Sequence, residues 1–358
     1  MKKIFQNLLF HFSKWIGLFA ISKYITRKGL RILCYHSFDM GNDESNWRPS
    51  LIIRPKTFHR RLDYLAKENF TIIELDQAVD LMIKNKLPNY SAVITIDDGW
   101  YSIKAVAHTM LKEQSYPYTI YHTSYYSSRE TPIYNLMVPY IFWKTQKDIL
   151  NLDELDTSMT GIYRLSNPSE SQEAIQKIVE YGDKNLNNTD RCALARRLGE
   201  CLGVDYAKIE NSRILNLLTS SEVMELSAQG VDFQLHSHRH RWPMQKHEAF
   251  RELKENQEFL EPLAGKEARH FCYPSGNWSH EQIPYLIEVG VKSATTTMGG
   301  INYHGNAQQF ILRRITDGEN KSQIRFEAEM SGFLYLFKTM QRLLTVRKGI
   351  KATNNQGT

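Results

Sequence analysis

Cysteine is scarce: Cys34, Cys192, Cys201 and Cys272 are the only four in 358 residues, and none forms a C-x-x-C pair. A disulfide scaffold is excluded, and a reducing compartment is the simpler expectation. No run of about 20 uninterrupted apolar residues occurs, so no segment is expected to span a membrane as a helix. Near the N-terminus Gln6, Asn7, His11, Ser13 and Lys14 break the apolar run. No A-x-A-like site follows, which argues against a secretory signal. Neither G-x-x-x-x-G-K-[ST] nor G-x-S-x-G is present, which removes the phosphate-loop and serine-hydrolase classes. Internal repeats and long low-complexity tracts are missing too.

Acidic residues are absent from both ends. Residues 1–31 carry Lys2, Lys3, Lys14, Lys23, Arg27, Lys28 and Arg31, and residues 331–358 carry Lys338, Arg342, Arg347, Lys348 and Lys351. Subtracting these twelve cations from the net charge of +6 leaves −6 on residues 32–330. With an acidic body and no nucleic-acid motif, nucleic acid is not an expected partner. Each basic end is also amphipathic. Phe5, Leu8, Leu9, Phe12, Trp15, Ile16 and Phe19 recur at helical spacing, as do Phe333, Leu336, Phe337, Met340, Leu343 and Leu344. A cationic amphipathic helix suits the plane of an anionic membrane surface.

What is present between the ends is globular, with 42% hydrophobic and 23% charged residues. Apolar runs alternate with amphipathic stretches. Strands are expected at Leu30–Tyr35, Phe70–Leu75, Ala92–Ile96, Tyr118–His122, Val231–Leu235, Ala268–Tyr273, Lys292–Thr297 and Phe310–Ile315. Helices are expected at Pro55–Glu68, Gln77–Lys84, Trp100–Glu113, Ser221–Gln229, Gln245–Leu263 and Glu281–Val289. This alternation implies a parallel sheet, and eight strands can close into a barrel. Residues 124–217 break the rhythm and read as a mostly helical insertion, with polar loops at Leu165–Ser171 and Tyr181–Thr189. On a βα loop, such an insertion would lie over the active-site face.

Three features at strand ends carry chemistry. Thr95-Ile96-Asp97-Asp98-Gly99-Trp100 sets two adjacent carboxylates on an extended chain. They point different ways, so one can ligate a metal while the other faces a reacting water. In His236-Ser237-His238-Arg239-His240, two imidazoles four apart fall on one side of a helical turn and suit a zinc-type ion. Phe271-Cys272-Tyr273-Pro274-Ser275-Gly276-Asn277-Trp278 ends a strand in a rigid Pro-x-Gly turn. Taken singly, the first is a common turn, the second a surface cluster and the third an ordinary bend.

In this order the three resemble the polysaccharide deacetylase family (NodB-homology domain, carbohydrate esterase family 4), whose motifs run T-F-D-D-G, H-[ST]-x-x-H and Pro-x-Gly. Here they read TIDDG, HSHRH and YPSG, and Tyr35-His36 resembles the branch that opens with a YH pair. The resemblance covers about residues 30–125 and 218–318. It implies a distorted (β/α)7–8 barrel over 30–318 with the helical insertion at about 124–217. Basic amphipathic segments flank it at 1–29 and 319–358. It further implies one divalent metal on Asp98, His236 and His240, zinc first, with cobalt, nickel or iron(II) as alternatives. Asp97 would be the general base for attack by metal-activated water, and the Ser275 backbone would face the oxyanion.

Two departures stand out. The late Leu-x-His motif reads Leu312-Arg313-Arg314-Ile315, and Cys272 stands where the family has an arginine. His304 and His36 are the candidate general acids. Arg314 either supplies the missing charge beside Asp97 or braces a barrel carboxylate. Tyr273, Trp278, Ser275 and Arg314 are candidate substrate contacts. The expected function is N-deacetylation of an amino sugar in a polysaccharide or lipid-linked glycan. The expected place is the cytoplasmic face of a membrane, with the periplasm and an uncleaved anchor as the alternative. The rival is a non-catalytic carbohydrate-binding or scaffold protein on the same barrel.

Overall fold

Residues 2–305 and 309–341 are described by the structure, a computed structural model. Its centre is Ser91–Asp98, whose Ala92, Val93, Ile94 and Ile96 are all buried. A strand apolar on both faces needs cover on both, which a parallel sheet wrapped in helices provides. Seven such strands close a ring: β1 Arg31–Tyr35, β2 Ser91–Asp98, β3 Tyr118–His122, β4 Asp232–Leu235, β5 His270–Cys272, β6 Ser293–Gly299 and β7 Leu312–Thr316. Register runs from Ile94↔Tyr118 to Asp98↔His122 between β2 and β3, and through Leu235↔Phe271 between β4 and β5. Between β6 and β7 it slips from Thr295↔Leu312 to Gly299↔Arg314. The ring closes where β1 pairs with β2 (Arg31↔Ala92) and with β7 (Leu33↔Ile315).

The expected strand at Phe70–Leu75 shortens to Thr71–Ile72, paired only with the start of β2. Ile73 and Glu74 leave the strand and Leu75 opens the helix Leu75–Ile83, whose Leu75, Ala78, Val79 and Met82 pack on Leu30, Ile32, Val93 and Leu312. That packing fills the end of the barrel where the strands begin.

At the N-terminus α1 (Lys2–Trp15) and α2 (Leu18–Ile25) meet at Gly17, which has φ 80° and allows a 76° bend. Among the described residues no single helix is long and apolar enough to cross a membrane, although this bent pair has the composition when taken together. The segment between β3 and β4 folds into α3 (Tyr134–Lys144), α4 (Pro168–Asn185), α5 (Asn188–Leu202) and α6 (Tyr206–Ser212) around a core of its own, including Met137, Ile141, Ile178 and Leu198. It also contains an antiparallel pair, Ile149–Asn151 with Ile162–Arg164, too short to show a period in the sequence. The two polar stretches expected as loops are largely taken into α4, which starts at Pro168 with Asn167 capping it. After β4 comes α7 (Lys246–Ala264), and after β7 comes α8 (Gln323–Met330), followed by a helical stretch over 333–341.

The terminal helices pack in an unexpected sense. Phe10 and Phe19 are buried against Ile324 and Ala328 of α8. Phe5, Leu8, Leu9, Phe12, Trp15, Ile16, Ile21 and Ile25 stay exposed, Phe5 at 73% and Trp15 at 81%. The cations are less free than the sequence suggests. Lys14 pairs with Glu327, Lys23 with Glu68, and Arg31 is fully buried on the carbonyls of Thr26, Gly29 and Met330. The expected positions Arg342, Leu343, Leu344 and Arg347 lie outside the described residues.

Candidate active site

β2 delivers both carboxylates, and the backbone separates them. Asp97 is still in the strand and faces the barrel interior. Asp98 takes φ 71° as the chain leaves the sheet, and Gly99 follows at φ 87°. A Cβ at Gly99 would lie 1.9 Å from His122 Nδ1, so only glycine fits there.

Asp97 is 2% exposed. Its partner comes from β7: Arg314 Nη1 donates to Oδ1 at 2.7 Å and Nη2 to Oδ2 at 2.8 Å, a bidentate pair closed to solvent. The thiols of Cys34 and Cys272 also donate to Oδ2, at 3.6 and 3.4 Å. Burial raises the Asp97 pKa, but the Arg314 guanidinium outweighs it and holds the carboxyl at about 2. His36 Nε2 stands 3.8 Å from Oδ2.

Asp98 turns the other way. Its Oδ2 accepts from Trp100 Nε1 at 2.9 Å. Oδ1 is buried without a hydrogen-bond partner, 3.2 Å from His236 Nε2 and 3.4 Å from His240 Nε2. Three ligand atoms, one from each residue, lie within 4.8 Å of one another. His236 Nδ1 donates to the Cys272 carbonyl at 2.8 Å, which leaves Nε2 free to face Asp98. An orphaned carboxylate oxygen opposite two imidazole nitrogens fits a divalent cation, with two neutral ligands and one anion around it. The two histidines are not on a helical turn as expected. Residues 236–240 form a bend with Ser237 at φ 62° and His240 at φ 54°. Unusual backbone, rather than helical period, sets the second ligand beside the first.

The insertion is stitched to this end of the barrel. Thr123 donates to the carbonyls of Asp98 and Ser237, Tyr125 N–H donates to His238, and on its return the chain bonds Leu218 N–H to Gly99.

Residues 201–294 match the model of the polysaccharide deacetylase family. Over that segment the chain is similar to polysaccharide deacetylases. The match spans the histidine motif and the Pro-x-Gly turn but not Asp97 and Asp98, which the insertion separates from them. The deacetylase fold recurs in solved structures. Streptococcus pyogenes deacetylase PplD, in complex with acetate, is 17% identical, with 85% of this chain and 99% of that chain covered and a TM-score of 0.56. IcaB from Ammonifex degensii is 16% identical, with 85% and 97% covered and a TM-score of 0.53. A de-N-acetylase from Aggregatibacter actinomycetemcomitans is 13% identical, with 84% and 99% covered and a TM-score of 0.52. No curated protein compared with the chain matches it.

At the mouth of the barrel the structure brings together Asp97, Asp98, His236, His240, His36 and Arg314. It does not bring His304. Asn302 bridges to Leu30 at the start of β1, so the exposed His304 follows a segment at the opposite end of the barrel from Asp98. Tyr273 is fully buried among Trp242, Phe271 and Trp278, so its ring is core and not a substrate contact. Ser275 is exposed at φ 56° at the tip of the turn, and Trp278 is half-buried, edge-on to His280. His238 points away from the metal-ligand group, bonding Ser124 Oγ at 2.8 Å.

Two supporting residues escaped the sequence reading. Glu252 is fully buried, accepts from Arg239 N–H at 2.7 Å and pairs with the Arg239 and Arg241 side chains. Asn256 accepts from His236 N–H at 3.0 Å and donates to Ser124 and the His122 carbonyl. Both interrupt the Ala249, Leu253, Leu260 face of α7, and a buried polar group on an apolar stripe is the signal that marks them.

Proposed function

We propose that this protein removes the N-acetyl group from an amino sugar of a polysaccharide or lipid-linked glycan, with a divalent metal, zinc first, on Asp98, His236 and His240. The observation that carries this reading is the division of the two carboxylates. Asp98 offers a bare oxygen to two imidazoles, and Asp97 is kept ionised next door. When bound, the metal supplies Lewis acidity toward the acetamide carbonyl and the attacking water.

The chain's own residues do the rest. Asp97, oriented by Arg314, accepts the proton that water loses as it adds to the carbonyl carbon. The turn at Ser275 offers backbone N–H groups to the developing oxyanion. His36, beside Asp97, gives a proton to the leaving amine as the C–N bond breaks. Acetate and the free amino sugar are the products.

We also propose that the enzyme lies on the cytoplasmic face of a membrane. Support comes from the exposed apolar side of α1 and α2, from acid-free basic ends, and from four unpaired cysteines. A bend of 76° suits a pair lying in the interface.

Acetate release from N-acetylated lipid-linked sugars, with and without chelator, tests the chemistry. Release should stop on chelation, and Asp97→Asn should lower it by about 10³-fold or more with metal content retained. Acetate that appears regardless of chelator overturns the metal mechanism; turnover unchanged in Asp97→Asn overturns the base.

A further inference from the structure

In a (β/α) barrel a helix normally covers each neighbouring pair of strands. Between β6 and β7 the connection forms no helix among its described residues, and it drops to pair Asn302 with Leu30. The outer side of these strands is therefore left to α8 and the helix over 333–341. These leave a cleft of about 730 Å³, the size of a small-molecule site.

Its lining is cationic within an acidic body. Besides Arg314, whose charge is already paired with Asp97, Arg313, Lys321, Arg325 and Lys338 face it together with one carboxylate, Glu329. Lys321 and Arg325 share Glu329, whereas Arg313 and Lys338 have no acidic partner among the described residues. Four cations against one anion make a site for a multiply charged anion.

Both ends of the cleft have neighbours that matter. At one end stand Thr297 and His280. Thr297 packs so tightly on Gly276 that a Cβ there would lie 2.1 Å from its Oγ1, and His280 packs on Trp278. That end adjoins the Pro274–Gly276 turn of the active site. The other end is walled by Tyr335, Lys338 and Thr339 of the helix over 333–341. Phe333 of that helix contacts Phe10 and Phe19, so the wall continues into the hairpin whose outer face is apolar.

We propose that this cleft binds the phosphate or diphosphate through which an acetamido sugar is attached to a membrane lipid. The sugar would lie toward the turn and the lipid toward the terminal helices. The inference rests on the deacetylase reading and narrows its substrate to a lipid-borne sugar phosphate.

The test uses the full chain stripped of metal, so that no anion binds through a cation and no turnover is needed. Calorimetry with inorganic pyrophosphate should show a single site. Arg313→Ala combined with Lys338→Ala should weaken it by about tenfold or more. Glu329→Gln, which frees Lys321 and Arg325, should tighten it several-fold, a gain that misfolding does not imitate. Phosphatidylcholine vesicles containing farnesyl diphosphate should float about tenfold more protein than plain vesicles, an increment that the double variant loses. Pyrophosphate binding that is absent, or indifferent to all three substitutions, overturns the site. Normal pyrophosphate binding with no vesicle increment, and with UDP-N-acetylglucosamine competing for the site, overturns the lipid source. Since acetate is not measured, these results fail or succeed separately from the deacetylase assay.

Discussion

The mouth of the barrel and the terminal hairpin misplace groups in opposite senses. At the mouth, Asp97, Arg314 and His236 are charged or polar side chains with 2% exposure or less. On the hairpin, Phe5 and Trp15 are large apolar side chains left in water. Each arrangement costs free energy in the isolated chain, through desolvation in one case and hydrated apolar surface in the other. Each is offset when a ligand of the right kind arrives. A dry polar cluster with a bare carboxylate oxygen waits for a cation and a polar substrate, whereas a wet apolar face waits for lipid. The cleft beside β7 lies between the two regions, and this placement is why its cations matter.

The largest effect should come from breaking the buried side of this contrast. Arg314→Met leaves Asp97 ionised and unpaired in the interior, which should cost about 3–5 kcal/mol of stability at neutral pH. The pH dependence has a definite sign. The folded pKa of Asp97, about 2, lies below its ordinary 3.8, so its contribution is complete above about pH 4 and is lost as pH falls toward 2. The gap between the two proteins in denaturant melts should therefore narrow as pH falls, and the parent's own share of it should be lost between pH 4 and pH 2. A gap that stays constant across that window would show that Arg314 stabilises the barrel by packing alone.

The exposed side is tested next. Phe5→Ser with Trp15→Ser removes two rings that touch no core, so thermal stability should be unchanged. Binding to vesicles containing anionic lipid should fall by about a hundredfold, at roughly 1.5–3 kcal/mol for each large apolar side chain withdrawn from lipid. Equal flotation of variant and parent would move the attachment away from this face.

A smaller effect separates ligands from their supports. Glu252→Gln keeps the shape of the residue that fixes the 236–240 loop but removes its charge. Metal affinity, read by competition with a chromophoric chelator, should drop about tenfold, the lower part of the range for residues that orient metal ligands. A loss as large as that of Asp98→Ala would mean the loop collapses rather than loosens.

How much of this was legible from the residues depended on the range of the interaction. Apolar runs such as SAVITIDD and YTIYH announce buried parallel strands because their pattern is local, and β3 begins and ends where the sequence places it. Asp97, Asp98, His236 and His240 could be read from motif and strand end together. What could not be read is decided across the fold. The bend that pairs His236 with His240 depends on positive φ at Ser237 and His240, which no periodicity encodes. The side of α1 that packs was hidden because its buried set, Phe10 and Ser13, is smaller than its exposed one. The sequence allows Arg314 two roles, and only the closing of β7 against β1 brings the last strand's guanidinium across to the carboxylate of β2.

The last comparison separates two histidines that look alike in the sequence, one of which should have almost no effect. His36 follows β1 at the end where the motifs gather, with Nε2 3.8 Å from Asp97, whereas His304 comes two residues after a bridge to the other end of the same strand. A proton donor must reach the leaving amine within about 3 Å or through one water, and of the two histidines only His36 stands beside Asp97. His304→Gln should leave acetate release within about twofold of the parent, while His36→Gln should lower it by about 10²-fold or more without lowering metal content. The comparison is sharpest in the pH profile, because loss of a general acid flattens the alkaline limb and a distant substitution does not. If His304→Gln flattened that limb and His36→Gln spared it, the proton would have to travel by a route that the barrel geometry does not provide.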